Sequence, residues 1–170
     1  MVRVLMVIAQ VNFRDEELFE PLEVFESLGY KIDIAAPKLE EAKGMLGATV
    51  KPTITIKTAK VYEYDAVVFV GGRGAAGLMD SPEVIQLVKD AFNRQKIVGA
   101  ICIAPMILAK AGVLKGKKAT VAPSNEAHRL FKQAEVNLVN EEVVASGHVV
   151  TADGPHASKK FARKIAELII

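Results

Sequence analysis

The sequence predicts an α/β protein with a mainly parallel central sheet and helices on both faces, formed as a single domain over residues 1–170. Three observations carry that expectation. Short β-branched runs alternate with segments of helical period along nearly the whole chain. Runs such as 3–9 and 66–70 are continuously apolar, as strands covered on both sides are. No linker, repeat or low-complexity tract breaks the order.

Residues 3–9 read as a central strand. Residues 15–28 then carry Leu18, Leu22, Phe25 and Leu28 at helical spacing, and Gly29 stops the helix. Residues 31–36 form the next strand. From 44 to 60 the pattern turns to alternation, with Val50, Ile54 and Ile56 between polar partners, so a peripheral hairpin is expected there in place of another crossover. Residues 66–70 are a buried strand running into Gly71-Gly72. Ser81-Pro82-Glu83 then supplies an N-cap, a first-turn proline and an acidic first turn for a helix to 93. Residues 97–102 are a third buried strand. The remainder reads as helix 103–111, extended 118–122, helix 125–133, extended 135–140 and 143–152 around Gly147, and a closing helix 156–170.

The bulk numbers narrow the function classes. A globule of 170 residues buries roughly 70% of its unfolded surface, so a core forms without staples. Twenty-two basic and twenty acidic side chains leave a formal charge of +2, and the short basic clusters at 115–118 and 159–164 suit solvated helix ends. Nucleic acid and membrane are therefore not expected partners. The start lacks a signal-peptide pattern and no apolar run reaches the ~18 residues of a membrane span, so a cytoplasmic location is expected. One cysteine excludes an internal disulfide and any multi-cysteine metal site. No pair of histidines has helical metal spacing, and Gly71-Gly-Arg-Gly-Ala matches neither a P-loop nor a dinucleotide fingerprint, so no metal and no cofactor are implied.

Cys102 stands where a buried strand ends and a helix begins, the edge at which open α/β sheets bind ligands. Its flanks are small, Ala100 and Ala104, as a sharp nucleophile elbow requires. The N-terminus of the helix that Pro105 helps to start is expected to lower the thiol pKa from its usual ~8.5. A buried filler cysteine is the competing reading. Gly71-Gly72, ending the neighbouring strand, allows a backbone N–H to approach the sulfur. With the N–H of Ile103 it makes a two-donor oxyanion hole. An acidic cluster, Asp15-Glu16-Glu17, opens the first helix at the same edge.

Four motifs, taken together, resemble the ThiJ/PfpI superfamily over nearly the whole chain. They are Glu17 four residues before Pro21, Val70-Gly-Gly-Arg-Gly, Ala100-Ile-Cys-Ile-Ala-Pro, and Asp153-Gly-Pro-His-Ala-Ser. That superfamily includes the parkinsonism-associated deglycase and lies close to class I glutamine amidotransferases. The resemblance implies a flavodoxin-like three-layer sandwich assembled as a homodimer or higher oligomer. It also implies Cys102 as nucleophile, Glu17 protonated and donating to the thiolate, and Gly72 and Ile103 as oxyanion donors. Two departures stand out. The peptidase-like branch has a histidine directly after the cysteine, where this chain has Ile103. The deglycase-like branch has one after the following strand, where this chain has Ala122. His128 and His148 suit exposed structural positions, whereas His156, after Gly154-Pro155, is the candidate substitute base.

Three functions follow in order. The first is thiolate attack on small reactive carbonyls, in the manner of glyoxalases or deglycases. The second is a redox-sensing or protective role through oxidation of Cys102. The third is intracellular peptidase or chaperone-like work.

Overall fold

The continuously apolar runs occupy the middle of the sheet. A computed structural model describes residues 1–169, and its strands and helices, in chain order, are β1 Arg3–Val7, β2 Val11–Phe13, α1 Asp15–Ser27, β3 Lys31–Ala36, β4 Ala42–Gly44, β5 Thr49–Val50, β6 Ile54–Thr55, β7 Ala66–Phe69, α2 Pro82–Asn93, β8 Ile97–Ile101, α3 Pro105–Lys110, β9 Lys118–Ala119, α4 Asn125–Gln133, β10 Asn137–Leu138, β11 Val143–Ser146, β12 Val149–Ala152 and α5 Ser158–Ile169. Among the described residues, seven strands form the main sheet in the order β11-β12-β8-β7-β1-β3-β6. All neighbours run parallel except the β11/β12 hairpin. The fold is the flavodoxin-like layered sandwich expected.

Alternate residues of the central strands feed two separate cores, as the two-residue period of a strand requires. Leu5, Val7, Val67, Phe69 and Val98 face Val84, Leu87 and Val88 of α2 and Ile107 of α3. Val4, Met6, Val68 and Ile101 face Leu18 and Phe25 of α1 and Phe161 and Ile165 of α5. Truncating a fully buried ring such as Phe25 or Phe161 to alanine costs about 3–5 kcal/mol. The helix α2 starts where its signals place it, with the Ser81 side chain accepting from the Val84 N–H at 3.4 Å.

Several boundaries differ from the sequence expectation for tertiary reasons. The strand expected over 3–9 ends at Val7, and β2 pairs instead with β4 in a small second sheet. Within 44–60, β4 and β5 do form an antiparallel hairpin, but β6 leaves it to join β3 as the parallel edge of the main sheet. The stretch Arg73–Asp80 is a 3-10 helix that its glycines hid. The extended segment 118–122 shortens to β9, which pairs with β10 outside the main sheet. The helix after Cys102 begins at Pro105, two residues later than expected. The closing helix is preceded by a 3-10 turn, Pro155–Ala157, and residue 170 lies outside the described residues.

Candidate functional site

Parallel strands deliver their C-terminal ends to one edge, and three of the connections leaving that edge converge. The strand β8 ends at Ile101, and Cys102 follows at φ +66°, the left-handed region that a non-glycine residue occupies only when its surroundings force it. Those surroundings are two backbone hydrogen bonds. The Cys102 N–H donates to Ala152 O at 2.9 Å, and Cys102 O accepts from the Ala122 N–H at 2.7 Å. Ala100 and Ala104 are fully buried on either side. The sharp turn leaves the thiol half-buried, with the backbone N–H groups of Gly72 and Ile103 near enough to favour its charged form.

The second connection follows β7. A Cβ on Gly71 would stand 2.5 Å from Glu17 Oε1 and 2.6 Å from Cys102 Cβ, so only glycine lets these two side chains close on the loop. Gly72 adopts φ +101°, and a Cβ there would meet Asn12 O at 2.6 Å, so glycine is needed at this position too. Arg14 ties the loop to the first helix, its N–H donating to Gly71 O at 2.9 Å.

The third is α1. Glu17 is fully buried, and neither carboxyl oxygen has a hydrogen-bond partner of good geometry. Burial pushes its pKa up to about 7, with the Cys102 thiol and the Gly71 N–H near enough to pull partly in the other direction. Cys102 is likewise raised, to about 11, by burial and by the negative charge of Glu17, against the two N–H donors. The expected lowering by a helix N-terminus does not prevail. Helix α3 has only six residues and starts three positions beyond the sulfur, so its dipole is short and distant. Thiol and carboxyl are one coupled pair that holds a single proton between about pH 7 and about pH 11.

His156 is engaged by two carboxyl groups. Its ring is exposed, with Nε2 2.9 Å from Asp153 Oδ1 and 3.8 Å from Glu142 Oε1. The groups acting on the thiol are Glu17, Gly72 and Ile103. His148 places Nδ1 2.6 Å from Lys96 O and stacks on Phe92, a structural role. His128 lines a hollow beside the elbow.

Sequence reasoning missed two contributors. Asp15 is buried and accepts from the N–H groups of Leu46 and Ala48 at 3.0 Å each, clamping the β4/β5 hairpin onto α1 two residues before Glu17. Charge at a helix start gave no sign of that. Arg14 forks onto Glu16 at 2.8 and 2.9 Å, so Glu16 is committed to an ion pair at the rim and leaves the inward position to Glu17. Among the described residues, no group of three or more His, Cys, Asp or Glu is placed to hold a metal, and no helix is long and apolar enough to cross a membrane.

Comparison with known proteins places this geometry among relatives. The model of the DJ-1/PfpI family matches residues 2–168. The chain is 44% identical over 98% of its length to MJ0967 of Methanocaldococcus jannaschii, a protein described as uncharacterized, and covers 82% of it. It is 30% identical over 96% of its length to deglycase PYRAB04690 of Pyrococcus abyssi, covering 98% of that protein. Among solved structures, the ThiJ/PfpI domain protein of Brachyspira murdochii superposes with a TM-score of 0.93 at 34% identity, over 98% of this chain and 95% of that one.

Proposed function

The chain belongs to the DJ-1/PfpI family, and on that premise we propose that it is a cysteine-dependent enzyme acting on small reactive carbonyl compounds, such as 2-oxoaldehydes and their adducts. Cys102 is the nucleophile, Glu17 its proton partner, and the N–H groups of Gly72 and Ile103 the oxyanion donors.

One observation carries this reading: the unequal supply of donors to the two members of the pair. The backbone N–H groups of Gly72 and Ile103 both favour the charged form of the sulfur, whereas only one backbone N–H, that of Gly71, does so for Glu17. Buried negative charge settles where donors point, so the pair's single proton resides on Glu17 and the charge on Cys102. The thiolate then adds to an aldehyde carbon, the carbonyl π electrons move to oxygen, and the N–H donors meet the new charge. Glu17 delivers its proton to that oxygen, which completes a hemithioacetal. The relative named a deglycase supports the carbonyl class of substrate. A homodimer and a cytoplasmic location belong to the same reading.

The test is the pH dependence of Cys102 alkylation by iodoacetamide, read beside methylglyoxal consumption. An inflection near pH 7 means that the thiol releases the first proton, and it supports the proposal. An inflection near pH 11, with no turnover, overturns it.

A second reading has its own support. No imidazole acts on Cys102, and Ile103 occupies the adjacent position where a base is absent. A thiolate held by N–H groups and a protonated carboxyl also suits oxidation to a sulfinate, the redox-sensing alternative. Mild peroxide then adds two oxygens to the intact mass, and Cys102→Ala adds none. Peptidase or chaperone-like work ranks last.

A further inference from the structure

The left-handed turn at Cys102 persists only if its surroundings hold it, and the two backbone hydrogen bonds that do so lead to different segments. One is the end of β12, where Ala152 O accepts from the Cys102 N–H at 2.9 Å. The other is the chain leaving β9, where the Ala122 N–H donates to Cys102 O at 2.7 Å. The strand β12 is fixed by its parallel ladder with β8, Ala152 standing opposite Ile101. Residues 120–123, in contrast, belong to no strand or helix and follow the β9/β10 pair, which lies outside the main sheet. Their grip on Cys102 O is only as firm as their own attachment.

Thr151 supplies that attachment. Its Oγ1 accepts from the Thr120 N–H at 2.9 Å, and both residues are buried, at 1% and 3% exposure. Three bonds thus close a ring: Cys102 N–H to Ala152 O, Thr120 N–H to Thr151 Oγ1, and Ala122 N–H to Cys102 O. Two are backbone bonds, and the third depends on one hydroxyl. Thr151 stands among Val149, Val150 and Ala152 in an otherwise apolar strand, where packing alone is met by valine. Valine has the same shape but no acceptor, and it leaves the Thr120 N–H buried and unpaired.

We propose that Thr151 is a positioning residue for the nucleophile: its hydroxyl anchors residues 120–122, and through Ala122 it holds the Cys102 peptide in its left-handed turn. The inference rests on the reading of Cys102 as a reactive thiol. That turn keeps the sulfur beside the backbone N–H groups of Gly72 and Ile103, which favour its charged form. When the ring opens, the peptide relaxes toward negative φ and the sulfur leaves those donors.

The test is the pH dependence of iodoacetamide alkylation of Cys102, the sole cysteine, in Thr151→Val and Thr151→Ser. Serine keeps the acceptor, and valine keeps the shape. Thr151→Val is expected to raise the inflection from near pH 7 by about one unit, toward an ordinary thiol, and so to slow alkylation at pH 7 about fivefold. Thr151→Ser is expected to stay within about twofold of the unaltered chain. Val88→Ala, in the core beneath α2, is expected to lower the urea midpoint without moving the inflection. An inflection that Thr151→Val leaves in place, or that Val88→Ala or Thr151→Ser moves as far, overturns the inference. Amide exchange in the unaltered chain covers the case in which Thr151→Val does not fold. The N–H groups of Cys102, Thr120 and Ala122 are expected to show protection within about tenfold of one another, because one ring shields all three. A Thr120 N–H that exchanges faster than that range allows overturns the inference. An inflection near pH 11 in the unaltered chain removes the reading of Cys102 itself, whereas one near pH 7 that valine leaves unmoved removes only the role of Thr151.

Discussion

The two edges of the sheet treat a carboxyl in opposite ways, half-buried Asp33 at one and buried Glu17 at the other. At the amino edge Asp33 is surrounded by donors: Thr53 Oγ1 donates to Oδ1 at 3.0 Å, and Tyr64 OH and Arg3 Nη2 donate to Oδ2 at 2.7 and 3.2 Å. Burial pushes Asp33 upward, yet those donors outweigh it and hold the group below the usual carboxylate range. The Arg3 guanidinium also lies over the Tyr64 ring at 5.1 Å. At the carboxyl edge Glu17 is more deeply buried and has no aligned donor, so desolvation raises it to about 7. Fully partnered polar groups stabilise a fold, whereas an unpartnered carboxyl beside a thiol at a left-handed turn is maintained at a cost in stability. The lesson is that burial and donor supply together separate the structural acid from the reactive one.

The largest expected effect breaks the carboxyl edge chemically. Cys102→Ala is expected to lower turnover of methylglyoxal and of its amine adducts by about 10³-fold or more while the chain stays folded, measured by substrate consumption and circular dichroism. Its counterpart Asp33→Asn leaves turnover within about twofold.

The next effect is steric. Gly71→Ala drives a methyl group into Glu17, Cys102 and Ile101 O, and is expected to cost about 2–4 kcal/mol in urea denaturation together with most Cys102 reactivity. Gly77→Ala meets nothing within 4 Å and is expected to shift stability by less than about 0.5 kcal/mol.

The third sharpens the electrostatic contrast. Because the Glu17–Cys102 pair gives up its first proton only at about 7 in the folded chain, against 4.5 for an unfolded glutamate, the pair's contribution to stability is full below pH 4.5 and is lost as pH rises through 7, a loss on the order of 3 kcal/mol. Glu17→Gln is expected to abolish that loss, as read from denaturation midpoints at pH 4.5 and 7.5. Glu17→Leu, which removes the donor to sulfur, is expected to raise the alkylation pKa of Cys102 by about one unit, with Glu17→Gln restoring most of the shift.

The smallest effect concerns Asp33, whose pKa is lowered on folding. Its stability is present above the ordinary carboxylate pKa and is lost as pH falls through the folded value. Asp33→Asn is expected to cost about 1–2 kcal/mol at pH 7 and progressively less in acid, with Cys102 alkylation unchanged.

The legible parts of this protein are those that short-range patterning controls. Residues 31–36 and 125–133 fold with the bounds their periodicity predicts, and Ser81-Pro82 starts α2 as a cap should. Cys102, Glu17, Gly72 and Ile103 were legible as a candidate group because a lone cysteine at a strand end, a double glycine and an acidic helix start each leave a local signature. Other features left none. The direction of the Cys102 shift depends on burial and on a carboxylate 85 positions away in sequence. The pairing of His156 with Asp153 depends on where the 153–157 turn presents its ring, and the Asp15 clamp depends on a hairpin some thirty residues downstream. Hydrophobic period and capping act over three or four residues, so the sequence by itself determined the alternation of elements, the two-sided core and the elbow. Only the tertiary structure decided which groups meet at the sheet's carboxyl edge and how much solvent and how many donors each retains, because those quantities are set by chain segments that touch only after folding.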